Sequence, residues 1–368
     1  MTSAPPPPSP SSPSPSPTSP PHPLIDRARR LARELLAPRA QEVDRTEVPP
    51  GHLTAIRASG LLGVSAPVAY GGAGAPDTVA REVAEILAGA CCSTWFVQTQ
   101  HHTPVRLLAR SDAPVRERLL RPLATGELVA GIAYAHVRAY PRVPVRATAV
   151  AEGWRFDGTV PWYTGWGLND VMLLAGVAEG DAGPELVFAF TDARERPGLR
   201  ASAPMRLAAL TAARTVALEL DGLLVEREAV LLRVPQAEFA AVDLARSANA
   251  SPALFGIAYA ALDLLDADAR AAAEPLRERI DQVREQAYAL AEADGPEPRI
   301  EERLALRVRA HDLMRAATTA AVVAGGGRAM SLDSPAQRLY REGMFLLIQA
   351  QTAPVRAAHL AHLGTDPR

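Results

Sequence analysis

The feature that most constrains the fold of this chain is a change in the spacing of its apolar residues. Residues 24–128 place apolar side chains three and four positions apart, as helices with one buried face do. Residues 129–234 form short segments rich in valine and aromatic residues, separated by turn residues and not by helices. Helical spacing returns over 235–368. We therefore predict an α+β fold: an N-terminal helical domain, a central antiparallel β-barrel or sandwich, and a C-terminal four-helix bundle.

Local signals place several helices. Residues 77–100, DTVAREVAEILAGACCSTWFVQTQ, predict one long apolar helix. A further helix is expected to start behind Asp112 as its cap and to end near Gly126. Ser334 followed by Pro335 predicts the start of the last helix. The C-terminal helices are predicted at 235–268, 274–293, 297–324 and 335–363.

Residues 1–23 differ from the rest of the chain because they are almost wholly proline, serine and threonine. Such a segment cannot bury enough apolar surface to fold, so we expect it to be disordered. It lacks the cationic start and the apolar stretch of a secretory signal. Cys91 and Cys92 are the only cysteines, which fits a reducing cytoplasm and small residues in a helix core.

Composition excludes several classes of function. The net charge is −2 and no apolar run approaches the ~18 residues of a membrane span, so neither nucleic acid nor membrane is an expected partner. All 39 basic residues are arginine, which excludes Schiff-base lysines and the lysine of a phosphate-binding loop. The two adjacent cysteines cannot build a zinc cluster of cysteine pairs. His101 and His102 point about 100° apart on a helix, so we expect no metal site.

Three of the four tryptophans fall within thirteen residues, around the stretch TVPWYTGWGLND of residues 159–170. Trp162 and Thr164 are two positions apart on a predicted strand, so they share a face and could present an indole and a hydroxyl to one ligand. Tyr163 points to the other face and is expected to pack inside. Trp166 and Asn169 lie in the following turn and could line the mouth of a ligand site. The alternative is an aromatic cluster that only fills one end of the β-domain.

Four stretches in the same order resemble the acyl-CoA dehydrogenase superfamily over about residues 24–363. They are ASGLLGVSAPVAYGGAGA at 58–75, VRERLLRPLATGELVAGIAYAH at 115–136, GWRFDGTVPWYTG at 153–165 and GGRAMSLDSPAQRLYREGMFLLIQAQT at 326–352. The resemblance implies bound FAD, with FMN as the alternative, and an acyl-CoA or related thioester as substrate. It also implies a homodimer or homotetramer, with a heteromer possible.

The same resemblance assigns site residues. Trp162 would pack on the flavin ring and Thr164 would bond it near the reactive nitrogen. The other expected cofactor contacts are Tyr134, Ala135, His136, Gly326, Gly327 and Thr352. The expected substrate-pocket residues are Trp166, Gln98, His102 and Ala350.

The chain also departs from the family's pattern. Ala350 stands where the family has a catalytic glutamate, and the alternative position of that base falls near Ala245. An alanine cannot accept a proton, and a positioned base contributes roughly 10²–10⁴-fold to such a step. Ala135, His136 and Val137 replace the family's Thr-Glu-Pro. His136 could bond the flavin, act as the base, or be only a strand-end histidine.

Two further departures concern the phosphate loop and a charge pair. The Gly-Ser loop that helps hold the pyrophosphate reads RAYPRVPV here. Arg341 and Glu342 are predicted to form a structural pair with no catalytic role.

Three functions remain open at this level. The first is a flavin-dependent oxidoreductase acting on the CH–CH group of an acyl thioester, with the standard base absent. The second is a flavin-dependent monooxygenase of the same fold, which usually carries a histidine in the C-terminal segment; residues 344–352 contain none. The third is a catalytically silent binding subunit.

Overall fold

The computed structural model describes residues 22–293 and 299–364. Almost all of the proline-rich segment predicted to be disordered lies outside these residues. Helix α1 begins at Pro23, and the His22 side chain accepts the Leu24 N–H at 3.3 Å. The first helix therefore begins at Pro23, which was predicted to be the last residue of the disordered segment.

Seven helices precede the sheet in the described part of the chain, and a π-helical turn at Ala32–Leu36 joins the first two. They are α1 Pro23–Leu31, α2 Ala37–Arg45, α3 Pro50–Ala58, α4 Asp77–Ala90, α5 Cys92–Thr99, α6 His102–Ala109 and α7 Val115–Thr125. Helix α7 starts at Val115, behind Pro114 and not behind Asp112, and it ends as predicted at a left-handed Gly126.

The long helix predicted over 77–100 is wrong, because Cys91 adopts an extended backbone that separates α4 from α5. The Cys91 thiol and the Thr94 hydroxyl lie 3.2 Å apart, and that hydroxyl also meets Nδ1 of His52 at 3.0 Å. The change of direction lets α5 bury nearly all of its surface, which a straight continuation of the amphipathic α4 would not do.

The central domain contains eight strands. They are β1 Ala130–Ala133, β2 Val145–Val150, β3 Gly153–Tyr163, β4 Val171–Gly180, β5 Gly183–Asp192, β6 Leu199–Ala201, β7 Val216–Glu226 and β8 Val230–Pro235. The order across the sheet is β6-β7-β3-β2-β4-β5-β8, with β1 beside β4.

The sheet is mixed, so the purely antiparallel prediction is wrong. β4 pairs in parallel with both β1 and β2, and the other pairs are antiparallel. The prediction assumed that parallel pairing needs a helical crossover. Here β3 makes the connection: it runs antiparallel to β2 on one side, and the chain then returns on the other side as β4. Residues from both ends of this order, such as Leu199 and Val187, meet in one core, so the sheet curves around it.

Seven helices follow the sheet within the described residues: α8 Gln236–Ser247, α9 Pro252–Leu262, α10 Ala267–Ala272, α11 Glu274–Glu292, α12 Ile300–Gly325, α13 Pro335–Leu346 and α14 Ala353–Leu363. Helices α9, α11, α12 and α13 pack against one another, with α12 touching the other three. Two of the four predicted helices are split. Pro252 starts α9 and holds Ser251 extended, and a turn at 347–352 separates α13 from α14.

One apolar core joins the N-terminal and C-terminal helices. Its tightest point is the crossing of α4 and α9, where backbone meets backbone. A Cβ added to Gly256 would lie 2.2 Å from the carbonyl oxygen of Glu85, and one added to Gly89 would lie 2.6 Å from that of Gly256. A separate core packs α6 and α7 on the outer face of the sheet. No helix among the described residues is both long and apolar enough to cross a membrane.

We expect Gly256→Ala to destabilise the protein by roughly 1–3 kcal/mol, because the added methyl group has no room between α4 and α9. Gly51→Ala is the matched control: nothing lies within 4 Å of that Cβ position in α3, so the change should be neutral or stabilise by up to about 1 kcal/mol. Urea unfolding of both variants checks this. Equal stability of the two would contradict the close crossing.

Candidate functional site

A cleft of about 1550 Å³ lies between the helices and the sheet. Its walls come from α4, α5 and α6, the residues after β1, the end of β3, α8, and the turn between α13 and α14. This volume exceeds the 300–1,000 Å³ that is usual for a site holding one small ligand.

The end of β3 supplies an aromatic and hydroxyl wall. The pairing of β3 with β7 shifts register between Val160 and Tyr163, where Pro161 has no N–H to contribute. The bulge leaves the Trp162 side chain 56% exposed on the wall of the cleft. Thr164 follows the last strand residue, and its hydroxyl lies 3.1 Å from that of Thr215, which also lines the cleft. Tyr163 is fully buried in the core of the sheet.

Tyr134, Ala135 and His136 follow β1 and line the same cleft. Nε2 of His136 meets the carbonyl oxygen of Ala175 at 3.0 Å, so it carries the proton and donates it. Nδ1 is buried without a partner among the described residues. Burial lowers the pKa of His136 to about 4, so the ring is a neutral acceptor at physiological pH.

His101, the residue directly before α6, holds β1 in place. Its Nδ1 accepts the backbone N–H of Ala130 at 3.0 Å, so Nε2 carries the proton and donates to the carbonyl of Leu123 at 3.0 Å. Burial lowers the pKa of His101 to about 4. The start of β1, and with it the segment at Tyr134, therefore depends on a neutral imidazole.

The turn between α13 and α14 brings Ala350 into the cleft wall. Ala350 has φ +53°, a left-handed conformation that is uncommon for a residue with a Cβ. Arg307 holds this turn: it is 2% exposed and donates to the carbonyl oxygens of Gln349 at 2.7 Å, Ser247 at 2.7 Å and Asn249 at 3.2 Å. Thr352 lines the cleft and its hydroxyl caps α14 by accepting the Val355 N–H.

Carboxylates are scarce on this wall. Among the described lining residues they are Asp77 and Asp243. Asp243 is occupied, because Arg138 donates to both of its oxygens at 2.6 and 2.7 Å. Ala245, near the alternative position for a base, is not part of the wall, although its neighbour Arg246 is.

Several expected site residues lie away from the cleft wall. Trp166 packs edge-on against Tyr163 with ring centroids 5.9 Å apart. Gln98 is buried and donates its amide to His102, whose pKa burial lowers to about 3. Gly326 and Gly327 follow α12, outside the wall. Asn169 is also buried, and its amide donates to the Tyr163 hydroxyl and to the Thr164 carbonyl.

The predicted pairing of Arg341 with Glu342 is wrong. Glu342 accepts from Arg338, one helical turn earlier, at 2.9 Å to both oxygens, and both side chains are buried. Arg341 pairs with Asp44 of α2. Adjacent residues on a helix diverge, whereas residues four apart share a face. Neither Arg341 nor Glu342 lines the cleft.

The sequence interpretation missed the arginines of the wall, notably Arg106, Arg138, Arg246 and Arg307. All 39 Lys and Arg positions of the chain are arginine and they are spread along the sequence, so no local pattern distinguishes these four from the others. Their only sequence signal is the position of Arg246, next to Ala245 in the segment already compared with the family's alternative base.

Comparisons with known proteins agree with this geometry. The family described as "Acyl-CoA dehydrogenase, N-terminal domain" matches residues 22–127. The chain is 28% identical over 167 residues to the probable acyl-CoA dehydrogenase fadE25 of Mycobacterium leprae, and 29% identical over 149 residues to 3-sulfinopropanoyl-CoA desulfinase of Paraburkholderia xenovorans. These matches cover 44% and 39% of this chain, and 43% and 38% of the relatives, so each spans less than half of either protein.

The fold is that of butyryl-CoA dehydrogenase from Megasphaera elsdenii, with a TM-score of 0.76, 16% identity, and coverage of 92% of this chain and 97% of that one. A helical domain, a mixed sheet and a second set of helices around one large cleft define the class. Residues 22–127 match the N-terminal domain of the acyl-CoA dehydrogenases, and the fold of the described chain is the acyl-CoA dehydrogenase fold.

We expect His101→Gln to flatten the acid side of the stability profile. The folded-state pKa of about 4 lies below the ordinary 6.5, so the contribution of the neutral ring is complete above pH 6.5 and is lost as the pH falls towards 4. At pH 5 the wild type should have lost on the order of 2 kcal/mol more than the variant, relative to pH 7. Unfolding free energies at both values test this, and parallel profiles would show that His101 does not titrate with folding.

Proposed function

We propose that this chain binds a flavin, FAD in the first instance and FMN as the alternative, in the cleft. We further propose that it is an oxidoreductase acting on the CH–CH group of an acyl thioester, with the family's base replaced by Ala350. The observation that carries the proposal is the exposed Trp162 indole beside the Thr164 and Thr215 hydroxyls, on the wall of a cleft large enough for two ligands.

The residues present fit a flavin. The large apolar ring of Trp162, exposed on the cleft wall, suits a flat aromatic ligand. The Thr164 and Thr215 hydroxyls form one hydrogen bond with each other, so one hydroxyl proton is left to donate to a ligand. His136 adds a neutral ring whose Nδ1 lacks a partner among the described residues. We assign the cofactor contacts to Trp162, Thr164, Thr352 and the segment Tyr134–His136. When bound, the flavin supplies the two-electron acceptor.

The chain's own groups offer little for removing a proton from the substrate. Ala350 and Ala245 carry methyl groups, Asp243 is held by Arg138, and burial makes His136 a weak base. These properties support slow dehydrogenation at most. They also favour a second candidate, a catalytically silent subunit that binds a thioester. One of the similar proteins is a 3-sulfinopropanoyl-CoA desulfinase, whose name describes a different reaction of an acyl-CoA.

We also propose that the protein works as a homodimer or homotetramer in the cytoplasm, with a heteromer as the alternative. Exposed apolar side chains concentrate on the last helices and their connections, which supports association through that face. They include Val323, Met330, Leu332, Leu360 and Leu363, none of which lines the cleft.

We expect Trp162→Ala to weaken flavin binding about fivefold, since an aromatic contact of this kind contributes on the order of 1 kcal/mol beyond its area. Trp162→Phe should keep most of the affinity. Trp154→Ala is the control, because Trp154 lies on β3 beside Arg233 and outside the cleft wall. Quenching of FAD or FMN fluorescence gives the dissociation constants. A wild type that binds neither flavin would refute the proposal.

We expect Ala350→Glu to accelerate flavin bleaching by an acyl-CoA under anaerobic conditions, by up to about 10²-fold. The position already holds a Cβ at φ +53°, so a longer side chain adds no new backbone strain. Ala350→Gln, similar in size but without a basic carboxylate, should give no gain. Rapid bleaching by the wild type would show that another group, with His136 the first to test, already serves as base. No gain despite measured acyl-CoA binding would place the substrate away from Ala350.

A further inference from the structure

The charge on the cleft wall is strongly one-sided. Eight arginines and two aspartates line it among the described residues, although the whole chain carries 39 basic and 41 acidic residues. Some of these arginines are accounted for by partners: Arg138 by Asp243, and Arg307 by three backbone carbonyls. Arg81 is paired with Glu292. The remaining arginines, Arg106, Arg110, Arg142, Arg246 and Arg356, form no ion pair with a described residue and leave cationic charge on the wall.

Arg106 of α6 and Arg246 of α8 are the most informative of these. Neither forms an ion pair with a described residue, and the only described side-chain contact of Arg106 is Thr103 at 3.5 Å. Both guanidinium groups line the same cleft. Burial lowers the pKa of Arg106, and the charge of Arg246 lowers it further. Asp77 opposes this effect from a distance but makes no ion pair with Arg106. Two like charges without a counter-ion are unfavourable unless a ligand supplies one.

Tyr134 adds a neutral donor to the same place. Its ring is fixed edge-on by Phe188 and Phe239, at centroid distances of 5.3 and 6.3 Å. Its hydroxyl has no hydrogen-bond partner among the described residues. Burial raises its pKa, the charges of Arg138, Arg246 and Arg106 lower it, and the charge of Asp243 raises it. Tyr134 therefore lines the same cleft as these arginines, and its hydroxyl proton has no acceptor among the described residues.

We propose that Arg106, Arg246 and the side-chain hydroxyl of Tyr134, as distinct from the backbone of the segment Tyr134–His136 assigned to the flavin, form an oxyanion subsite that takes a carboxylate, sulfinate or phosphate group of the substrate. Guanidinium groups match such oxyanions with paired N–H donors, and the tyrosine hydroxyl supplies a further one. The proposal rests on the function proposed above and adds a substrate class to it. The anionic group comes either from the acyl part or from the coenzyme A phosphates.

The subsite is connected to the position of Ala350. Arg246 directly precedes Ser247, whose carbonyl oxygen accepts from Arg307, and Arg307 also binds the carbonyl of Gln349 beside Ala350. An anion held at Arg246 would thus lie on the part of the wall that is rigidly joined to the turn presenting Ala350. This connection favours the acyl part as the source of the anion.

The test compares ligands that differ only in charge. Calorimetric titration of the full chain, with its flavin as isolated, uses coenzyme A, butyryl-CoA and succinyl-CoA, the last two having acyl groups of equal length. Arg106→Gln and Arg246→Gln should each raise the dissociation constant of the ligand whose anionic group occupies the subsite by about 10- to 100-fold. Tyr134→Phe should raise it by about fivefold. Arg246→Lys should recover part of the loss. Arg309→Gln, at an exposed position of α12 outside the cleft, is the matched control.

The outcomes separate the two sources. A loss confined to succinyl-CoA assigns the subsite to an acyl-borne carboxylate, and an equal loss for all three ligands assigns it to the coenzyme phosphates. Unchanged affinities in both glutamine variants would overturn the proposal. Should either variant fail to fold, as judged from its melting temperature, Arg246→Lys and Tyr134→Phe carry the same comparison.

A last measurement distinguishes this proposal from the function on which it rests. It compares the melting temperature with and without succinate or inorganic phosphate, so it requires no thioester. If no coenzyme A ligand binds but these anions protect the wild type and not the Arg246→Gln variant, the thioester function fails and the subsite stands. If neither the thioesters nor the small anions bind, both are wrong.

Discussion

The close crossing of α4 and α9 is the contact on which the rest of the arrangement depends. Because Gly89 and Gly256 have no side chains, the backbones of two helices from opposite ends of the chain touch, and one apolar core runs through both helical parts. This fixes α5 and α6 relative to α8 and to the turn after α13. The cleft is the space left between that helical body and the sheet. The N-terminal and C-terminal helices are therefore separate in the sequence, but they share one apolar core.

Arg307 has a comparable role within the cleft. A guanidinium that is buried without a carboxylate partner loses its hydrogen bonds to water. In Arg307, hydrogen bonds to three carbonyl oxygens replace them. Two of them, from Ser247 and Asn249, lie at the C-terminal end of α8, where the helix dipole is negative and favours a cation. Burial lowers the pKa of Arg307 to about 10, which still leaves it charged at neutral pH. A lysine could not reach three carbonyls in different directions with one planar group.

The order of helical and strand segments could be predicted because it follows from local apolar spacing, and so could the outward Trp162 and the inward Tyr163. The break at Cys91 could not, since it depends on how α5 is buried by the rest of the protein. The parallel partners of β4 depend on strands that are not consecutive. Pro252 is a different case: Ser251-Pro252 carries the same start signal as Ser334-Pro335, and the sequence interpretation passed over it. Arg106 and Arg246 line the same cleft although they are 140 positions apart in the sequence, so no local pattern could predict it.

The weak proton acceptors and the excess of arginine on the cleft wall belong to one charge distribution. A wall of arginines stabilises bound anions, and it also disfavours any group that must gain a proton and become positive. Burial already lowers the pKa of His136 to about 4, and neither of the two aspartates on the wall, Asp77 and Asp243, acts to raise it. A carboxylate introduced at Ala350 would itself be drawn towards the charged form by Arg307 and its neighbours. That would lower its pKa and its strength as a base, so its gain should lie towards the lower end of the range for a positioned base. The electrostatics of this cleft therefore favour binding an anion over accepting a proton.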